Sequence, residues 1–509
     1  MTHSNIPQSP EPFWRSNIPL PTFDKLKNDI TVDVAIVGGG ITGITAAYLL
    51  TKEGMKVALL EANELLNGTT GHTTAKLTAQ HGLIYDELIN HIGKEQAKNY
   101  YKANNEALQF VKELIQEKQI DCDFSTEDAY IYTNSEKYVQ KLYDEFKAYQ
   151  KLDIPSELVH EIPFDFPIKK AIVMKEQAQF HPLKYLLALV EEMTHLDGKI
   201  FEHTVATDVE KGEQPVVTTR DGAKVYCKHV VAASHFPFYD GNGFYFTRMY
   251  AERSYVIGIK ATKEYPGGMY LSAEQPTRSL RYTEINGEKL ILVGGDSHKT
   301  GQGINTMEHY QALQHFAEQT LGIKEYLYRW SAQDLYTLDK VPYIGPITPK
   351  KENIYVATGY RKWGMTNGTA AALLLRDLIL NRENPYTSLF SPSRFHGDPS
   401  IKQFLIQNFD VAGHLIEGKL DVGDKRLQEL EVGEGSVVFM KGKRAGAYKD
   451  LDGKLHCVDT TCTHLGCEVE WNAGDTTWDC PCHGSRFSYD GQVIEGPANE
   501  PLKQVNIEE

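Results

Sequence analysis

The chain has 509 residues, of which 41% are hydrophobic and 24% charged, the composition of a globular protein with a large core and room for about three domains at ~150 residues each. Its 53 Lys and Arg against 68 Asp and Glu leave a net charge of −15, which argues against nucleic acid or an anionic membrane face as a partner. No apolar run reaches the ~20 residues of a membrane helix; the best candidate, Ala370 to Leu380, is broken by Arg376 and Asp377.

Residues 1–30 read as an extended arm, with Pro7, Pro10, Pro12, Pro19 and Pro21 opposing regular structure and Phe13 and Trp14 pinning it to the body. Nothing there resembles a signal peptide, so a cytoplasmic protein is expected. Val32–Val37 then forms an apolar strand ending in Gly38-Gly39-Gly40-Ile41-Thr42-Gly43, a helix runs to Gly54, and a second strand, Lys56–Leu60, ends in Glu61. That order is the context a dinucleotide fingerprint requires. Gly38 makes the tight turn, Gly40 lets amides approach a pyrophosphate at the helix N-terminus, and Gly43 allows close packing. Glu61 would take the adenosine ribose hydroxyls.

Gly68 to Lys76, through Gly71, His72 and Thr73, is rich in small and hydroxyl residues that suit a loop along a ribityl chain or flavin ring. Helical periodicity fills Ile84–Lys118, Glu136–Leu152 and, after His181-Pro182, Leu183–Met193. Val216–Thr219, Lys224–Tyr226 and Val230–Ala233 read as strands returning to the nucleotide sheet, while Tyr255–Ile259 and Leu290–Val293 belong to a substrate-covering sheet. A late strand, Asn353–Ala357, leads through Gly359, Arg361, Lys362, Gly364 and Thr366 into a helix whose positive end would face an electron-rich ring edge. Over about residues 30–390 these features resemble the D-amino-acid-oxidase-like FAD oxidoreductases, which include glycine and sarcosine oxidases and glycerol-3-phosphate dehydrogenases. The resemblance implies FAD bound by Gly38, Gly40, Gly43, Glu61, Gly71, Thr73, Lys76, Gly359, Gly364 and Thr366. No covalent-flavin cysteine stands near 330–370, so the FAD is expected to be non-covalent.

Residues 391–425 form a linker in which Ile401–Ile416 reads as a helix whose apolar stripe (Phe404, Leu405, Phe409, Val411, Leu415) packs between domains. Seven cysteines are present and five lie between Cys457 and Cys482, a cofactor pattern; Cys122, Cys227 and Cys457 are expected as buried small residues. Cys462-Thr-His464-Leu-Gly-Cys467 is followed by Cys480-Pro-Cys482-His483-Gly-Ser485-Arg-Phe487. Two Cys and two His suit tetrahedral zinc, or a 2Fe–2S cluster with one iron on thiolates and the other on imidazoles. One Cys and one His from each loop, with Gly496-Pro497-Ala498 beyond, resembles a Rieske 2Fe–2S domain of the variety with a disulfide between its loops. The resemblance implies Cys462 and Cys480 on the inner iron, His464 and His483 on the outer, a Cys467–Cys482 disulfide, and Ser485 as donor to a bridging sulfide. A disulfide is unusual in a reducing cytosol. Phe487 departs from the high-potential members, which carry Tyr there. The missing bond to a charged sulfur, worth ~1.5–3 kcal/mol, implies a potential below the top of the ~−150 to +300 mV range.

The expected fold is α/β with an α+β substrate part: a Rossmann-like FAD-binding domain with an inserted substrate sheet, then a C-terminal all-β Rieske domain. The expected boundaries are an arm at 1–30, an oxidoreductase at 31–390, a linker at 391–425 and the Rieske domain at 426–509. Within the oxidoreductase, 31–90, 160–240 and 335–390 form the FAD part and 91–159 and 241–334 the cap. No second GxGxxG follows a strand. A small organic substrate, an amine, amino acid or hydroxy compound, should therefore reduce the FAD directly, and electrons should leave singly through the cluster to an acceptor protein. The alternatives are a cluster-fed reductase or oxygenase, and a non-enzymatic redox carrier or sensor. His72, Lys76 and Arg361 are the catalytic candidates. Arg281 reads as a strand arginine with some promise as a carboxylate clamp, and His181 as a helix-start histidine.

Overall fold

The computed structural model describes residues 6–210, 212, 214–303, 305–394, 400, 403–408, 410–411, 413, 425–440 and 443–506. Val34–Val37 is buried at every position, which only a sheet covered on both faces can accept. It lies mid-sheet in the order Tyr343–Pro346, Ile354–Thr358, His229–Ala232, Val34–Val37, Val57–Leu60, Lys199–Phe201. All pairings are parallel except that of the edge strand Tyr343–Pro346. Helices Ile41–Lys52 and Gly364–Ile379 pack together beside this sheet. Gly368 permits the approach, since a Cβ there would lie 2.9 Å from Ile41 Cγ2 and Thr42 Oγ1.

A larger sheet runs Ile323–Thr337, Met249–Ala261, Glu288–Lys299, Arg278–Ile285, Met269–Ser272, Ser125–Thr133, Lys170–Gln179, Lys76–Leu77. Its first two strands are antiparallel and paired along their whole length. The C-terminal region is built from two small antiparallel sheets, one of three strands from Gly435–Met440 to Leu455–Val458, the other of four from Glu470–Asn472 to Val493–Glu495. The arm is anchored as expected: Phe13 and Trp14 are buried, and Trp14 Nε1 donates to the Thr73 carbonyl (2.6 Å). Cys122, Cys227 and Cys457 are buried.

Several expectations need correction. Val216–Thr219 and Lys224–Tyr226 do not return to the nucleotide sheet; with Ile30–Thr31 and Ala206–Glu210 they form a separate four-stranded sheet. Val216–Thr219 alternates between half-buried and buried positions, the pattern of a strand covered on one face, and only His229–Ala232 enters the doubly covered sheet. Ser125–Thr133 and Lys170–Gln179, unremarked in the sequence, pair with each other in the large sheet, so the strand at 170–179 lies outside the sheet to which the 160–240 segment was assigned. Lys76 sits in a short strand, not a loop. In the linker, residues 403–408 are helical, while Phe409 and Leu415 lie outside the described residues. Phe404 and Leu405 are exposed, not packed between domains, whereas Val411 packs on the C-terminal core.

Candidate functional site

The glycine turn after Val34–Val37 opens onto a cavity of about 720 Å³. Gly38 has φ +113°, and a Cβ there would lie 2.4 Å from the Ala233 carbonyl oxygen. At Gly43 a Cβ would meet the Gly38 oxygen at 1.9 Å, so that glycine seats the helix behind the turn without reaching the cavity. Gly38, Gly39 and Gly40 form the wall. Glu61 ends the second strand on the same wall, its carboxylate accepting from the Gly39 amide (2.7 Å) and the Asn63 amide (3.0 Å). Burial raises its pKa despite those bonds. This cradle of close-approach glycines, a helix N-terminus and a fixed acid fits an adenosine diphosphate moiety.

Thr73, His72, Lys76, Arg361 and Gly364 also line the cavity, whereas Gly71, Gly359 and Thr366 stand behind it. Gly71 is required by the Leu66 carbonyl, 2.1 Å from where a Cβ would be. Gly359, at φ +80°, lies against Thr337. The Thr366 hydroxyl is committed to the Thr78 carbonyl (3.1 Å). Lys76 Nζ donates to the Tyr270 carbonyl (2.8 Å) and Ser279 Oγ (2.6 Å), and burial together with the Arg281 charge lowers its pKa to about 7. His72 Nδ1 lies 2.9 Å from the Gly68 carbonyl, and burial lowers that pKa too. Arg361 turns its guanidinium toward the His81 carbonyl (3.1 Å). Arg281 is no carboxylate clamp: its donors hold the carbonyls of Thr74 (3.0 Å), Ala75 (2.9 Å) and Tyr282 (2.7 Å). His181 caps the helix Pro182–His195, accepting from the Lys184 amide.

The C-terminal loops bring Cys462, His464, Cys480 and His483 together. The Cys462 and Cys480 thiols are hydrogen-bonded to each other, and that bond holds Cys462 below the usual thiol range. The two imidazoles lie 5.1 Å apart at 87°, and both Nδ1 atoms are buried without a partner. Burial lowers the pKa of both, His483 to about 4, so both rings are neutral. Two thiols and two neutral imidazoles with orphaned nitrogens are the donor set of a Rieske cluster. Cys467 and Cys482 are joined in a disulfide. The sulfurs of Cys467, Cys480 and Cys482 lie within 4.8 Å of one another, but two are used in that bond, so Cys480 alone of the three keeps ligand chemistry. Ser485 hydrogen-bonds to Cys462 and accepts from the Ala498 amide (3.0 Å). Phe487 is fully buried in the core below.

Residues 33–378 match the FAD dependent oxidoreductase family, and residues 416–506 the Rieske [2Fe-2S] domain. The chain belongs to the FAD dependent oxidoreductase family. It is 54% identical over 501 residues to the "Putative Rieske 2Fe-2S iron-sulfur protein YhfW" of Bacillus subtilis (strain 168), covering 98% of each chain. It is 24% identical over 378 residues to gamma-glutamylputrescine oxidoreductase of Escherichia coli (strain K12), 70% of this chain and 85% of that one. Glycine oxidase from Geobacillus kaustophilus shares the fold, with a TM-score of 0.62 at 20% identity over 72% of this chain and 100% of its own. The protein is thus an FAD-dependent oxidoreductase fused to a Rieske domain, with FAD and one 2Fe–2S cluster as cofactors. Among the described residues no helix is long and apolar enough to cross a membrane.

In this oxidoreductase the two sites share a wall. Side chains alternate across a strand, so Ser254, Ala332 and Asp334 line the cavity while Arg253, Ser331 and Gln333 meet the Rieske domain. Arg253, fully buried, donates to Ser331 Oγ (2.9 Å) and Glu495 Oε2 (2.8 Å), with Asp479 3.6 Å away. Arg486 donates to Asp479 (3.0 Å) and pairs with Asp475, which also accepts from Tyr310 (2.8 Å). Burial works to raise the pKa values of Asp475 and Glu495, but the two arginines outweigh it and hold both low. Gln333 Nε2 donates to the Gly484 carbonyl (2.9 Å), and a Cβ on Gly484 would lie 2.6 Å from Ala251 Cβ, so the cluster loop lies flush on the strands. Glu495, Gly496, Pro497 and Ala498 line the cavity as well, and Phe236, also on its wall, has its ring 6.2 Å from that of His464. Sequence reasoning missed Arg253, Asp334, Glu495 and Phe236. Arg253 lies just before the stretch Tyr255–Ile259 read as a strand, and Asp334 lies in the strand Ile323–Thr337, which the sequence did not reveal.

Proposed function

We propose that this enzyme oxidises a C–N bond of a small amine or amino acid, or the C–O bond of a hydroxy compound, and exports the electrons one at a time through the cluster to an acceptor protein. The shared wall carries the reading: the segment Glu495–Ala498 borders the FAD cavity while the Ala498 amide bonds Ser485 beside the ligand Cys462. The FAD, when bound, supplies the two-electron acceptor. Gly38 and Gly40 would hold its pyrophosphate and Glu61 its ribose; Thr73, Lys76 and the helix N-terminus at Gly364 would border its ring. Gly43, Gly71, Gly359 and Thr366 would support that site from behind. Cys462, Cys480, His464 and His483 would hold the cluster. The name of the Escherichia coli relative supports an amine, and a cytoplasmic location agrees with the reading.

Anaerobic addition of amines, amino acids and hydroxy acids, followed by absorbance and EPR, tests it. The expected result is flavin bleaching by one class and growth of the reduced-cluster signal. Flavin reduction with a cluster that dithionite reduces but substrate does not would overturn the reading.

A further inference from the structure

Ile323–Thr337 pairs with Met249–Ala261 so that Asp334 stands opposite Glu252 and Gln333 opposite Arg253. Gln333 and Arg253 reach the Rieske domain; Asp334 faces the other way, on the cavity wall. Asp334 is 7% exposed, and among the described residues its carboxylate has no hydrogen bond and no ion pair. The other acids of that wall are spoken for. Glu61 is held by two amides, Glu495 by Arg253, and Asp221 by Lys25 at 2.6 Å.

Most cations of the wall are engaged. Arg220 lies 3.5 Å from Glu500 and Lys76 is tied to Tyr270 and Ser279, while Arg361 donates one Nη to the His81 carbonyl and keeps its buried Nε without a partner. Lys362 lies in the fields of both Asp334 and Glu252, one cation for two carboxylates. A buried carboxylate without a partner is costly unless a ligand brings the opposite charge.

We propose that Asp334 binds the substrate by its protonated nitrogen, so that the substrate is a cationic amine and not an acid gripped by its carboxylate. This rests on the reading of the cavity as the site of substrate oxidation. Oxidation at the carbon needs the neutral amine. In the ion pair the N–H bond can break and an O–H bond form on Asp334, which cancels both charges with no electron transferred in that step. Burial raises the Asp334 carboxyl to about 7, within the range in which a carboxylate takes and returns a proton at neutral pH.

The test uses the holoenzyme and the flavin absorbance as reporter. It is titrated with n-butylamine, with butyltrimethylammonium, which can be neither deprotonated nor oxidised in this way, and with lactate. Wild type should bind both cations. Asp334→Asn should weaken them roughly 30-fold or more, with FAD content and the cluster EPR signal unchanged, and Asp334→Glu should restore part of the affinity. The groups that bear on Asp334 are Lys362, Glu252, Arg253 and Glu495. Affinity for butyltrimethylammonium should fall as pH drops through about 7 in wild type, should keep that step in Glu252→Gln, and should lose it in Asp334→Asn. No cation binding, equal cation affinity in wild type and Asp334→Asn, or tighter binding of lactate than of the cations would overturn the proposal. Cation binding through Asp334 with no amine able to reduce the flavin would instead refute the oxidation reading and leave this one standing.

Discussion

The two faces of the strand pair Met249–Ala261 and Ile323–Thr337 use adjacent residues of the same segments for opposite ends. On the cluster side, Arg253 and Arg486 are matched by Asp475, Asp479 and Glu495. On the cavity side Asp334 stands without a direct partner. Paired buried charge fixes one part of the molecule against another, because misalignment leaves a charge uncompensated. Unpaired buried charge is costly, and a carboxyl such as Asp334 is relieved either by taking up a proton or by a ligand of opposite charge. One sheet thus serves as a rigid mount for the cluster and as one side of an open site.

The comparison breaks most completely at the cluster itself. Cys480→Ala should abolish the cluster EPR signal while substrate still bleaches the flavin, since the thiolate belongs to one side of the wall only. On the other side, Gly38→Ala places a Cβ 2.4 Å from the Ala233 oxygen at a positive φ and should yield a flavin-poor protein with an intact cluster, read from the absorbance ratio after purification. Arg253→Ala leaves Glu495 buried without its ion pair, while Asp479 keeps Arg486, and should cost about 3–5 kcal/mol in denaturant unfolding. Phe487→Tyr should sharpen the account of the cluster, raising its potential by roughly 60–130 mV in a redox titration. The smallest effect concerns pH. The Asp475 and Glu495 pKa values are held below their unfolded values, so their stabilisation is present above the ordinary carboxylate range and is lost only as pH falls through the folded values. The loss of thermal stability caused by Asp475→Asn should therefore stay the same from about pH 8 to about pH 5.

Much of the chemistry was legible because it lies in contiguous stretches whose chemistry demands residue types at fixed spacing. The turn Gly38–Gly43 with Glu61 is one; the loops holding Cys462, His464, Cys480 and His483 are another. Lys76 was found as a member of a loop, but its hydrogen bonds to Tyr270 and Ser279 depend on elements that no local pattern joins. Arg281 offered a planar fork on a strand, and only the fold shows that the backbone carbonyls of Thr74, Ala75, Phe180 and Tyr282 occupy it. Asp334 and Arg253 were invisible for the same reason. Their roles follow from the register between two strands distant in sequence, and a shift of one residue would exchange the face that meets the cluster for the face that meets the cavity.

The central claim is that electrons cross this wall within one molecule. The most direct measurement is anaerobic stopped-flow mixing of the holoenzyme with a reducing substrate, following the flavin and the cluster at separate wavelengths over a range of protein concentrations. Cluster reduction that follows flavin bleaching with a first-order rate unchanged by dilution is the expected result. A rate that falls in proportion to protein concentration, or a cluster that stays oxidised beside a fully reduced flavin, would contradict it.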